Sequence, residues 1–134
     1  MAPTFGPGTH RPMPGWFILL ARLLPVGLVA QFLSAGLGLF HDGALLGLHG
    51  AVGFTLSLPV IGLVAAALLV PRLGGFRWWA GVVLALYSLQ IALAAGAAPL
   101  ALAFHPANGA LLLTASLVLL ARVERQRVLP ALIA

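Results

Sequence analysis

The chain has 134 residues, of which 62% are hydrophobic and only 7% are charged, and its mean hydropathy is +1.13. Soluble domains carry about 25% charged residues, so this composition excludes an ordinary water-exposed surface and predicts a protein of the lipid bilayer. The absence of cysteine excludes disulfides, thiolate ligands and iron–sulfur clusters. The net charge of +5 comes from arginines at segment ends rather than from a basic patch, which indicates membrane topology and not nucleic-acid binding.

Four apolar segments follow one another, and each is close to the length of about 20 residues that spans a bilayer. The Pro- and Gly-rich residues 1–14 are predicted to form a flexible tail, and residues 123–134 a cytoplasmic tail. Short connections join the segments. The pattern predicts an all-α fold, a four-transmembrane-helix bundle of up-down-up-down topology in residues 15–122. Its helices are expected over residues 15–40, 44–70, 78–95 and 99–121.

The arginines indicate the orientation of this bundle. Six of them fall in the tails and connections that share one face of an up-down-up-down bundle, and the other two connections contain no Arg or Lys. Both termini are therefore predicted to be cytoplasmic. Arg22 lies about two turns inside the first segment, where extension toward the nearer interface is favoured over a functional ion pair. Pro25, Pro59 and Pro106 predict local distortions of their helices.

The two halves of the chain share a pattern of polar residues. His49 is followed by Gly53, and His105 by Gly109, so each glycine lies one turn beyond its histidine on the same helix face. A glutamine precedes each histidine, Gln31 in the first half and Gln90 in the second. The halves therefore resemble two copies of one helical hairpin. Both histidines are expected about 8–9 Å below the same end of the bundle.

Two facing histidines with glycines one turn deeper suit a haem b. Imidazole nitrogens can occupy both axial positions of the iron, and glycine leaves room for a porphyrin where a side chain would collide. His49 and His105 are the predicted axial ligands of one haem per chain. Two histidines alone do not complete the tetrahedral site that zinc requires. The predicted cofactor-binding residues around them are Gly53, Gly109, Gln31, Gln90, Ser57 and Asn108.

Other interpretations of the same residues stay open. A lone histidine in a membrane helix is commonly a hydrogen-bonding residue between helices, and a cofactor-free accessory or structural subunit would need no more than that. Gln31 and Gln90 fit equally well as residues that tune a haem site and as interhelical hydrogen-bond donors. A quinone- or lipid-binding protein could use the same polar cluster.

The paired His-x-x-x-Gly pattern resembles the haem-binding helices of four-helix membrane b-type cytochromes. That resemblance extends to His49, Gly53, His105 and Gly109 and implies electron transfer, with a quinol or an external redox protein as partner. Many such cytochromes carry a second histidine pair near the other face, and this chain has none. The run QFLSAGLGLFHDGALLGLHGAVG, followed by FHPANG, also resembles an uncharacterised family of small bacterial four-helix membrane proteins, from residue 31 to about 122.

These observations lead to one expected function. The chain is expected to be a bis-histidine cytochrome of the bacterial inner membrane, surrounded by lipid, that passes electrons through one haem b. Whether it catalyses a reaction, and whether it forms a homo-oligomer, are questions that the sequence leaves open.

Overall fold

The computed structural model describes residues 12–96 and 98–128. It is an all-α bundle of four helices, each long and apolar enough to cross a membrane, and this confirms the predicted fold class. Most of the predicted N-terminal tail, including His10, and residues 129–134 lie outside the described residues. The helices are α1 (Gly15–Phe40), α2 (Leu45–Thr55), α3 (Ser57–Leu69), α4 (Arg77–Ala95) and α5 (Pro99–Val128).

The second membrane span is divided into α2 and α3 at Leu56. Pro59 follows three residues later, and a proline has no N–H to donate to the carbonyl four residues before it, with which its ring also clashes. The break therefore lies within the turn that Pro59 disrupts. Pro25 and Pro106 are held inside α1 and α5 without such an interruption.

A short 3-10 helix, Pro71–Phe76, connects the second span to the third. Arg77, the first residue of α4, donates from Nε to the carbonyl of Ala67 at 3.0 Å, which satisfies a free carbonyl near the end of α3. The last helix continues to Val128, seven residues beyond the expected end at residue 121. The charged residues at the end of the chain thus extend a helix rather than begin a separate segment.

The packed core lies in the half of the bundle that carries the arginines. Phe17 and Phe76 are its largest buried side chains, and their ring centroids are 5.4 Å apart. Small and branched residues from α1, α3, α4 and α5 fill the space around them. Most of the buried hydrophobic residues of the core belong to this half: Phe17, Ile18, Ala21, Leu24, Val60, Leu63, Ala66, Ala67, Leu73, Phe76, Ala80, Val83, Ala115, Leu119 and Val123.

The opposite half, called here the histidine half, is more open. The helix α3 packs on both α1 and α4, whereas its continuation α2 packs mainly on α1. No residue of α2 is buried. The break at Leu56 thus coincides with the level at which the second span separates from α4. The resulting gap lies beside the two predicted histidine ligands.

Arg22 forms an ion pair, contrary to the preference for simple extension toward the interface. Its Nη2 lies 2.6 Å from Oε1 of Glu124, and Nε donates to the same oxygen at 2.7 Å. The pair joins α1 to α5 at the arginine-rich end, because the additional turns of α5 bring Glu124 level with Arg22. Glu124 is about 28 Å from His105 along α5, so the ion pair lies far from the two histidines.

Candidate functional site

The gap in the histidine half contains a cavity of about 330 Å³. Helices α1, α2, α4 and α5 all contribute to its wall, which is almost entirely apolar, with Leu28, Phe32 and Leu112 among the larger side chains. This volume falls at the lower end of the range of about 300–1,000 Å³ for small-molecule sites. Six of the eight predicted site residues line it: Gln31, His49, Gly53, Gln90, His105 and Gly109.

The two histidines face each other across the cavity. Their ring centroids are 6.1 Å apart, and the ring planes are inclined at 65°. An imidazole nitrogen binds a metal ion at about 2.0–2.1 Å, so two rings on opposite sides of one ion have nitrogens about 4 Å apart and centroids about 6 Å apart. The observed spacing therefore suits a single metal ion between the two rings. Among the described residues no group of three or more His, Cys, Asp or Glu converges, so the donor set here is two imidazoles.

Hydrogen bonds to α1 orient the ring of His49. Its Nδ1 lies 3.1 Å from the backbone carbonyl oxygen of Gln31 and 3.2 Å from Oγ of Ser34. A carbonyl oxygen can only accept, so this contact places the proton on Nδ1 and leaves the lone pair on Nε2. The Ser34 hydroxyl in turn donates to the same carbonyl at 3.1 Å. These contacts thus favour the tautomer of His49 that carries its proton on Nδ1.

His105 is held less firmly. Its Nδ1 is buried and has no hydrogen-bond partner among the described residues. Pro106 follows directly, inside α5, and a proline removes one backbone hydrogen bond from the first turns of this helix. The two histidines are therefore at matched positions but are not equivalent: α1 anchors one, and the other has a ring nitrogen without a partner.

The two glycines lie against the two glutamines. A Cβ added at Gly53 would be 2.9 Å from Oε1 of Gln31, and one added at Gly109 would be 3.3 Å from Nε2 of Gln90. Each half of the chain therefore places its glutamine amide over its own glycine. This repeated contact extends the internal repeat from sequence to packing. The glycines admit a glutamine side chain at a place where the sequence indicated clearance for a cofactor.

Asn108 and Ser57, the other two predicted residues, do not line the cavity. Asn108 is only 5% exposed, and its Nδ2 donates to Oε1 of Gln90 at 2.6 Å and to the carbonyl of Leu86 at 2.9 Å. It therefore positions the Gln90 amide. Ser57 would share a face with His49 and Gly53 in a continuous helix, and the break at Leu56 interrupts that spacing.

Tyr87 contributes a contact that the sequence did not predict. Its hydroxyl donates to the carbonyl of Gly53 at 3.0 Å, across the gap between α4 and α2. Backbone carbonyls near the end of α2 lack helical partners because the helix breaks there. A tyrosine hydroxyl from a neighbouring helix can donate to one of them. This hydrogen bond could be predicted only from the position of the helix break at Leu56.

The cavity opens toward the lipid between α2 and α4. Phe54 on α2 is 74% exposed and Ile91 on α4 is 42% exposed, although both contribute to its wall. In a bilayer these side chains meet acyl chains rather than water. A ligand could therefore reach the histidines sideways from the membrane.

A model of a family of unknown function, DUF6220, matches residues 31–99. The chain belongs to this family. The DUF6220 match confirms the resemblance to an uncharacterised family, over a shorter stretch than the expected residues 31–122. It includes Gln31, His49 and Gln90 but ends at Pro99, the first residue of α5, so His105 and Gly109 lie outside it. Comparison with curated proteins and with solved structures finds no match.

Proposed function

We propose that the cavity binds one haem b, with His49 and His105 as its axial ligands, and that the protein transfers electrons in the bacterial inner membrane. The observation that carries this proposal is the pair of imidazole rings 6.1 Å apart in an apolar cavity. A bound haem would supply one-electron redox chemistry. The chain itself would supply the ligands, their orientation and a dry surrounding.

The residues of the site have separate parts in this proposal. The contact between His49 Nδ1 and the Gln31 carbonyl leaves Nε2 as the nitrogen that would bind the metal, and a backbone acceptor of this kind also raises the basicity of the ligand nitrogen. His105 approaches from the opposite side. Phe32, Leu28 and Leu112 would supply apolar surface to the cofactor.

The buried amide of Gln31 is a polar group that the protein leaves unsatisfied. Its Nε2 has no hydrogen-bond partner among the described residues. A buried donor without a partner costs about 1–3 kcal/mol, so a ligand that accepts a hydrogen bond would gain affinity there. Gln31 and Gln90 are therefore assigned to tuning the site rather than to binding the metal.

Electron exchange with a quinol or an external redox protein would suit the position of the cavity. It lies in one half of the bundle and opens sideways between α2 and α4. A quinol is dissolved in the same lipid and would meet that opening directly. With both termini in the cytoplasm, the histidine half would lie in the outer leaflet.

A cofactor-free structural or accessory subunit is the second candidate, and two observations favour it. The glutamine amides already lie over the two glycines, and His49 links α2 to α1 through its hydrogen bonds. In that case the polar residues would serve helix packing alone, at about 0.6 kcal/mol for an average interhelical hydrogen bond.

Absorbance spectroscopy separates the two candidates. The full chain, expressed with ample haem and purified in mild detergent, is expected to show a low-spin Soret band with one haem per chain. His49→Ala and His105→Ala should each abolish or convert the low-spin spectrum, and the double variant should leave apoprotein. His41→Ala is the matched control, because His41 lies at the exposed end of α1. A colourless protein in which His49→Ala changes only thermal stability would establish the packing role instead.

The glycines provide a second test. Gly53→Leu and Gly109→Leu should lose haem while membrane expression continues, because the new side chains displace the glutamines and enter the cavity. Gly47→Leu is the control on α2, since a Cβ at Gly47 meets nothing within 4 Å. If all three variants bind haem as the wild type does, the clearance assigned to Gly53 and Gly109 is wrong.

A further inference from the structure

We propose that the seam between α1 and α5, at the arginine-rich end, binds an anionic phospholipid. Arg22 and Arg127 would hold its phosphate, and the apolar groove beside them would hold part of one acyl chain. This site is separate from the histidine cavity and does not depend on a cofactor.

The charged end of the seam carries more positive than negative charge. Glu124 accepts from Arg22 (Nη2 to Oε1, 2.6 Å) and lies 3.5 Å from Nε of Arg127 (to Oε2). Two guanidinium groups thus share one carboxylate, and one positive charge stays uncompensated. The only other acidic residue of the sequence is Asp42, at the opposite end of α1. Both arginine side chains are about half exposed, 49% and 48%, so their remaining N–H groups can reach a ligand.

A guanidinium group suits a phosphate better than it suits a neutral headgroup. Its planar set of N–H donors matches two phosphate oxygens at once. Basic side chains between transmembrane helices at a membrane surface are a recurrent way of binding anionic lipid headgroups. The carboxylate of Glu124 fixes both arginines in place, so less side-chain freedom is lost when the phosphate binds.

The apolar part of the seam begins where the charged part ends. A groove of about 320 Å³ separates the surfaces of α1 and α5 there. Val26 and Val29 follow Arg22 by one and two turns of α1, and the groove wall from Pro25 to Val29 is about 6 Å long along the helix. Exposed Val26, Val29 and Leu117 contribute to its walls. The lining residues are Pro25, Val26, Val29, Leu113 and Leu117.

This continuity decides which ligand fits the surface. An anionic group would be attracted by the unpaired charge, and an acyl chain attached to it would lie directly along the groove. A water-soluble phosphate would use only the charged end. The complete seam therefore matches a phospholipid with a negative headgroup, in the leaflet that meets the arginine-rich end.

The test is lipid binding to the full chain in mild detergent, measured by native mass spectrometry with phosphatidylglycerol and phosphatidylcholine. The wild type should bind phosphatidylglycerol in preference. Arg22→Gln should lower its affinity about fivefold, the effect of one arginine near an anionic surface. Arg125→Gln is the matched control, since it removes the same charge from the same exposed end of α5 and should change the affinity less than twofold.

The groove is tested separately. Leu117→Trp fills it and should reduce phosphatidylglycerol binding, whereas Leu111→Trp, on another face of α5 and 59% exposed, should have no effect. Glycerol phosphate at millimolar concentration should not compete, because it has no acyl chain. The proposal fails if the wild type shows no preference for phosphatidylglycerol, or if Arg125→Gln weakens binding as much as Arg22→Gln. If Arg22→Gln does not fold, equal binding by the two tryptophan variants would refute the site by itself.

Discussion

Replacement of Asn108 by leucine tests the polar link between α4 and α5. Asn108 donates to Oε1 of Gln90 and to the carbonyl of Leu86 while only 5% exposed. Two interhelical hydrogen bonds at an average of about 0.6 kcal/mol each contribute about 1.2 kcal/mol. The Gln90 oxygen, left half-buried without a donor, adds about 1 kcal/mol. Asn108→Leu should therefore lower the free energy of unfolding by about 2 kcal/mol, roughly 30-fold in the equilibrium constant.

A double-mutant cycle identifies the bond that is responsible. Gln90→Leu should cost about 1 kcal/mol, and the double variant about 2 kcal/mol rather than 3, because both changes remove the same hydrogen bond. Unfolding by SDS in mixed micelles, followed by far-UV circular dichroism, measures all four proteins. Thr114→Val is the control, since its hydroxyl donates only within α5, to Ala110 at 2.9 Å. Additive effects of the two variants within about 0.3 kcal/mol would refute the assigned contact.

Two further predictions concern topology and packing. Single cysteines at Asp42 and Ala98 should both be labelled by a membrane-impermeant reagent from outside the cell, because the arginines favour cytoplasmic termini; labelling from the cytoplasm alone would contradict the orientation. Gly38→Ala should destabilise the protein by about 1–3 kcal/mol, since its Cβ would lie 2.6 Å from Cδ2 and 3.2 Å from the backbone N of Leu46. Gly36→Ala, where a Cβ meets nothing within 4 Å, should not destabilise the protein in the same SDS titration and should raise its stability by up to about 1 kcal/mol.

The four membrane spans could be predicted because hydropathy and length alone decide them. The start of α1 at Gly15 and of α5 at Pro99 agree with the sequence, since Pro and Gly mark those boundaries. The division of the second span was only partly predictable. Pro59 predicted a distortion of the helix. The position of the break at Leu56 also depends on tertiary hydrogen bonds to the backbone of α2, such as the one from Tyr87 to the Gly53 carbonyl.

The meeting of His49 and His105 followed from their equal depth on the second and fourth spans. The group that occupies the space beside them could not be predicted from the sequence. Spacing places a glycine one turn below each histidine, but it cannot show that a glutamine from the preceding helix lies there. The spacing of Ser57 from His49 would place both on one face of an unbroken helix, but the helix is interrupted at Leu56.

The division of the second span also separates the helix beside the cavity, α2, from the helix that belongs to the packed core, α3. The arginine-rich half has a buried core that includes Val60 and Leu63 of α3, and neither residue lines the cavity. The segment α2 rests mainly on α1 and could tilt about Leu56 while that core stays intact. A tilt of about 10° over its 11 residues would move the far end by about 3 Å. If the cavity binds haem as proposed, such a tilt would widen the path by which the haem enters after the protein is inserted.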